Sequence, residues 1–258
     1  MEDRIGRGDG TQDFPEEDQN GQSQTGRPQI AKPSNNKMRM PIEHYSEVFA
    51  SSNPVELSAR SGIPYDADTQ KFSLWLLKRA ATVKWPEMTV EVDSNVTVDA
   101  VTSASVKSDS EGSGGAVVSA TSQVRILLGR LILEGKLVPG TGVLIPYTDV
   151  PWGQTYYQAF KRRCIDRLAK MFETADEFAS AAWALGGSPA SDGDASADFE
   201  FVNGVMIRLA VWEGDDEFPP SAQFLFSDNV SFAFTAEDLA QVGDVLLNAL
   251  QASAPSAH

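Results

Sequence analysis

The chain has 258 residues, enough for one large or two small domains, with a formal net charge of −15 from 21 Lys and Arg against 36 Asp and Glu. From Asp176 onward fourteen acidic residues face one base, Arg208; such a surface repels phosphates and anionic lipid, and argues against nucleic acid or a membrane as partner. The one cysteine, Cys164, rules out an internal disulfide, a Cys-rich zinc site or an iron–sulfur cluster within one chain, and with no apolar h-region and no apolar run of membrane-spanning length the expectation is a soluble cytoplasmic protein.

Residues 1–40 are mostly Gly, Gln, Asn, Asp, Pro and Arg, with Ile5, Phe14 and Ile30 as isolated apolar points. Such a segment buries too little surface to offset the entropy of ordering its backbone, so a disordered tail is expected. A single domain follows, over residues 41–252. Ile42, Tyr45, Val48 and Phe49 recur at helical spacing, and Asn53-Pro54 reads as an N-cap with proline at N1 of a second short helix closed by Gly62. Phe72 to Leu77 carries apolar residues on both strand faces, which predicts a largely buried strand, with a short helix as the alternative. Thr89 to Val92 alternates as a second strand. A flexible insertion is expected at about 94–119, where Ser, Thr, Asp and Gly dominate; its glycines lack the strand–helix context and the Lys-Ser/Thr of a phosphate loop.

Val124, Leu127, Leu128, Leu131 and Ile132 predict a helix over about 121–134, with Ile126 and Leu133 adding burial on further sides. A short strand at Gly142–Ile145 precedes an amphipathic helix over 156–172, whose apolar face holds Tyr157, Phe160, Cys164, Leu168 and Met171. The basic side of that helix (Arg162, Arg163, Arg167, Lys170) suits an anionic ligand, but such a face is more often solvated or answers the acidic last third of the same chain. Thr174-Ala175-Asp176-Glu177 reads as a capping box for a helix ending at Gly186-Gly187. Phe199–Phe201 and Val205–Trp212 read as strands around Asn203-Gly204, a strong hairpin signal. Phe224–Phe226 and Val230–Phe234 read as two more strands, and Thr235-Ala236-Glu237-Asp238 caps a last helix with the stripe Leu239, Val242, Leu246 and Leu250. The pattern predicts an α+β fold: an antiparallel sheet with amphipathic helices packed on one face.

The densest grouping of unusual residues is Trp212-Glu213-Gly214-Asp215-Asp216-Glu217-Phe218-Pro219-Pro220, followed by Leu225-Phe226. With Thr235 to Ala240, Gly186-Gly187, Gly193-Asp194 and, more loosely, Asn53 to Leu57 and Trp152 to Phe160, it resembles an uncharacterised prokaryotic domain-of-unknown-function family known mainly from anaerobes. In some relatives, the resemblance implies, the domain adjoins an iron–sulfur segment, hence redox or cofactor-related surroundings. This chain has no cysteine motif for a cluster, and the family implies no functional residues.

The candidate site residues are Asp215, Asp216 and Glu217, with Asp194 brought near by the fold. Clustered carboxylates are the ligand type that hard divalent cations take, and they serve as acid and base where burial separates their pKa values. The same turn reads first as a sheet corner, with Trp212 and Phe218 anchored in the core and Pro219-Pro220 halting pairing until Phe224. His44 and His258 are the only histidines, so a Ser-His or Cys-His pair has little to draw on, and Cys164 on an apolar helix face is expected to be inert. Two functional classes follow: a non-catalytic binding or accessory domain for a protein partner, in a redox- or cofactor-handling setting, and alternatively a carboxylate-dependent enzyme using a divalent metal.

Overall fold

The computed structural model describes residues 42–93, 117–119 and 121–254. The expected tail and most of the expected insertion lie outside them. The chain runs α1 (Ile42–Ser51), α2 (Pro54–Ser61), β1 (Tyr65–Asp66), β2 (Lys71–Leu76), β3 (Arg79–Lys84), β4 (Thr89–Asp93) and β5 (Val117–Ser119). Then come α3 (Ser122–Glu134), β6 (Leu144–Pro146), a 3-10 turn at Tyr147–Asp149 and α4 (Gly153–Phe160), which passes through a π turn (Lys161–Ile165) into α5 (Asp166–Leu168). The last part holds α6 (Ala175–Ala184), β7 (Ser188–Pro189), β8 (Ala195–Val202), β9 (Val205–Trp212), β10 (Ser221–Ser227), α7 (Val230–Ala233) and α8 (Ala236–Ala252).

All described strands join one antiparallel sheet in the order β5-β4-β3-β2-β8-β9-β10-β6, with β1 beside β2 and β7 beside β8. Its two wings, β1–β5 and β6–β10, meet at a narrow joint. One register pair, Leu76 with Val202, links β2 to β8. The Leu77 amide donates to the Phe201 carbonyl at 2.9 Å, and the Trp75 amide donates to Asn203 Oδ1 at 2.7 Å.

The expected α+β class holds, with the helices on one face. Register places Phe72, Leu74 and Leu76 beside Ala81 and Val83, and these continue into Val90 and Val92. In the second wing Ala197, Phe199, Ile207, Leu209, Phe224 and Phe226 occupy the matching face. All of these are buried. Helix residues complete the core: Phe49 meets Phe72, Phe201 meets Phe234, and Phe160 meets both Phe224 and Phe226. Such aromatic pairs add about 0.5–1.5 kcal/mol each beyond area burial.

Between the helices, α3 ties the wings together. Met88 fills the space left by Gly129 of α3, and Arg60 of α2 donates to the Leu133 carbonyl. Toward α8, Arg130 is 3% exposed and its Nη1 lies 2.6 Å from Asp238 Oδ1, an ion pair by distance without hydrogen-bond alignment. Asp238 Oδ2 also accepts from the Thr235 amide and hydroxyl, completing the expected capping box.

Several expectations are corrected. Trp75 is 53% exposed, so β2 buries only one face. The strand expected at Val230–Phe234 is the short helix α7, closed by a Phe234 amide bond to the Val230 carbonyl; its apolar run serves the core without a strand partner. The α6 cap is offset by one residue: Thr174 accepts from the Glu177 amide, but Glu177 Oε2 accepts from Glu173. The basic helix answers the acidic last third, one of the three expectations for it, through Arg163 and Arg167 with Asp244.

Candidate functional site

The loop 213–220 joins β9 to β10, and every oxygen it shows hydrogen-bonded serves backbone. Glu213 Oε1 accepts from the Ala175 amide at 2.6 Å, at the positive N-terminal end of α6. The Glu213 amide in turn donates to Asp194 Oδ2 at 2.7 Å. Asp215 Oδ1 accepts from the amides of Glu217 and Phe218, at 2.8 and 2.7 Å, and the Asp215 amide closes the turn on the Phe218 carbonyl. Asp194 is therefore brought to the turn, as expected, and fastens it to the Gly193 corner. Asp216 and Glu217 stand exposed. Among the described residues no group of three or more His, Cys, Asp or Glu is placed to hold a metal ion.

Two glycines are fixed by close approach. A Cβ on Gly214 would lie 2.7 Å from Pro220 Cδ, and one on Gly193, whose φ is +64°, would lie 2.5 Å from the Val211 carbonyl oxygen. The anchoring expected of the aromatics is corrected: Phe218 is 67% exposed and Trp212 half-buried. The hydrogen bonds of Asp215 and Asp194 hold the loop, so its aromatic tip is left outside. Pairing resumes at Ser221, opposite Trp212, rather than at Phe224.

Two hollows adjoin this loop. One, of 570 Å³, lies between Leu168–Ala175 and the loop itself, with Phe172, Glu213, Asp215 and Phe218 among its walls. The other, of 730 Å³, runs from Tyr147 and Tyr157 past Lys161 and Ile165 to Ser221–Phe224. Ala169, Lys170, Trp212, Pro219 and Pro220 line both. The π turn shapes the second wall: Phe160, Cys164 and Leu168 stay buried in the core while Lys161 and Ile165 are left half-buried beside the hollow.

Neither Cys164 nor His44 lines either hollow. Cys164 is buried, its Sγ 3.6 Å from the Ala240 carbonyl, and burial pushes its thiol up to about 12, aided by Asp244 and opposed by Arg163 and Arg167. That is the inert thiol expected from the helix face. His44 is exposed on α1, edge-on to Tyr45. The Tyr147 hydroxyl, raised above its ordinary value mainly by burial, donates to the Ala236 carbonyl.

Sequence reasoning missed the role of Glu213 and the open stretch of β10, whereas Lys170 was visible as part of a basic helix side. Glu213 caps a helix 38 residues away, a pairing that no local pattern announces.

The fold and its cleft define an α+β domain in which the carboxylates of Asp194, Glu213 and Asp215 staple a sheet corner beside two hollows. The chain belongs to the family described as Domain of unknown function (DUF3786), whose model matches residues 100–249. The match takes in α3 and everything from β6 to most of α8, and leaves residues 42–93 outside it. No curated protein and no solved structure matches the chain. No helix among the described residues is long and apolar enough to cross a membrane.

Proposed function

We propose that the chain is a non-catalytic binding or accessory domain that seats a protein partner in the cleft around Trp212, Pro219 and Pro220. One observation carries this reading: two hollows meet at these three residues, beside a loop held by the carboxylates of Asp194, Glu213 and Asp215, which accept from backbone amides. A surface hollow with aromatic and proline walls and a few polar groups suits recognition. A redox- or cofactor-handling protein is the first class of partner to test, from the iron–sulfur association that the resemblance implies.

The test is co-purification from native cells. Lys170→Glu with Phe218→Ser should release a partner that wild type retains, with unchanged thermal unfolding, because both side chains are exposed. Trp75→Ser, exposed on the other wing, should retain it. Equal retention by the cleft variant would overturn the proposal. So would calorimetric heat on titration with Ca²⁺, Mg²⁺ or Mn²⁺ that Asp215→Asn with Asp216→Asn abolishes, which would favour a carboxylate-dependent enzyme.

A further inference from the structure

We infer that the outer edge of β10 at Ser221–Phe224 takes an extended acidic peptide by strand addition; this rests on the cleft being a binding surface and names what it binds. β9 pairs with β10 along Ser221–Phe226, whereas β6 covers the opposite edge only at Leu225–Ser227. After Pro146 the chain turns away into the 3-10 segment at Tyr147. Ser221–Phe224 thus present an edge without a strand partner among the described residues, about 14 Å long at the rise of a strand. Strand edges of this kind are templates for another chain, and main-chain bonding there supplies affinity independent of sequence.

The 730 Å³ hollow is bordered by this edge, so the space beside it is open to a strand. Pro219-Pro220 have no amide hydrogens to donate, which ends the usable edge at Ser221. Charge selects the occupant. Lys161 is paired with Asp166 at 2.5 Å, but Lys170, which lines the same hollow, has no carboxylate partner among the described residues. On a chain of net charge −15, this lysine beside an open edge is complementary to an acidic side chain on the added strand.

The experiment selects binders from a randomised linear peptide library on the full chain, then measures amide hydrogen exchange with the selected peptides. Enrichment of acidic peptides with alternating β-branched residues is expected, with slowed exchange at outward amides of Ser221–Phe224. N-methylation at alternate peptide residues should abolish binding, and Lys170→Glu should weaken it about tenfold, the equivalent of one charge-assisted contact. Selected peptides that shift the Trp212 signals but leave β10 exchange unchanged, or that bind equally when N-methylated, would overturn strand addition and leave the cleft reading standing. An unenriched library would overturn both.

Discussion

The two wings of the sheet are built to different rules. In the first wing β2, β3 and β4 have five or six residues each and bury one face, with Ser73 and Trp75 outward. In the second, β8 and β9 have eight residues each, and the outward face is closed in part by Arg208, paired with Asp198 and Asp192. Between them stand one register pair and two hydrogen bonds. The sheet is therefore continuous in topology but thin at its centre, and the helical layer through α3 and α8 does much of the joining. The family match takes in the second wing and β5 but leaves β1–β4 of the first wing outside it.

The largest test of that division is Arg130→Ala. It leaves the buried Asp238 without the guanidinium between α3 and α8. Removing one partner of a buried pair costs about 3–5 kcal/mol. Chemical denaturation should show that loss, and two transitions instead of one if α3–α8 is what couples the wings. Leu76→Ala strikes the joint in the sheet, where the side chain is fully buried, and is expected to cost about 3 kcal/mol. A loss below about 1 kcal/mol would mean that the strand joint carries little of the coupling.

Alkaline pH acts on the second wing. The Cys164 thiol has its folded pKa raised from 9.0 to about 12, so its protonated form is favoured in the native state. The resulting stability is complete below pH 9 and is lost as pH rises toward 12, at a slope of up to about 1.4 kcal/mol per pH unit. Tyr147 adds to the same limb above its ordinary value of 10.0. Unfolding midpoints measured from pH 8 to 11 should fall for wild type and fall less steeply for Cys164→Ala, which starts lower because of its cavity. The smallest effect is expected from Asn203→Ala, which removes the acceptor of the Trp75 amide at a partly solvated site, about 1 kcal/mol, with faster exchange at that amide.

Much of this was legible in the sequence where a local cause dominates. Asn53, Thr174 and Thr235 each cap the helix they precede. Asn203-Gly204 marks the β8–β9 turn, although only Gly204 there is left-handed and the register slips between Glu200 and Val202. The opposite case is Leu77-Lys78, where φ is +47° and +61° at two residues that carry no turn signal. Burial of Leu77 and its bond to Phe201 offset a conformational cost of about 1–2 kcal/mol per residue, and β3 beyond it, Arg79-Ala80-Ala81-Thr82-Val83-Lys84, is too weakly apolar to stand out. At the site, the acidic residues themselves were visible. Their employment was not, because Glu213 and Asp194 act on partners 38 and 19 residues distant.

The narrow joint also has a bearing on self-association. The edge of β8 that faces away from β9 is shielded by two short covers, β7 at Ala197–Asp198 and the end of β2 at Val202. A chain beginning at the family boundary would keep the first cover and lose the second, exposing main-chain groups at Phe201 and Val202. Unpaired main-chain groups at a strand edge are a template for another chain, so a chain cut at that boundary is expected to self-associate more than the full chain.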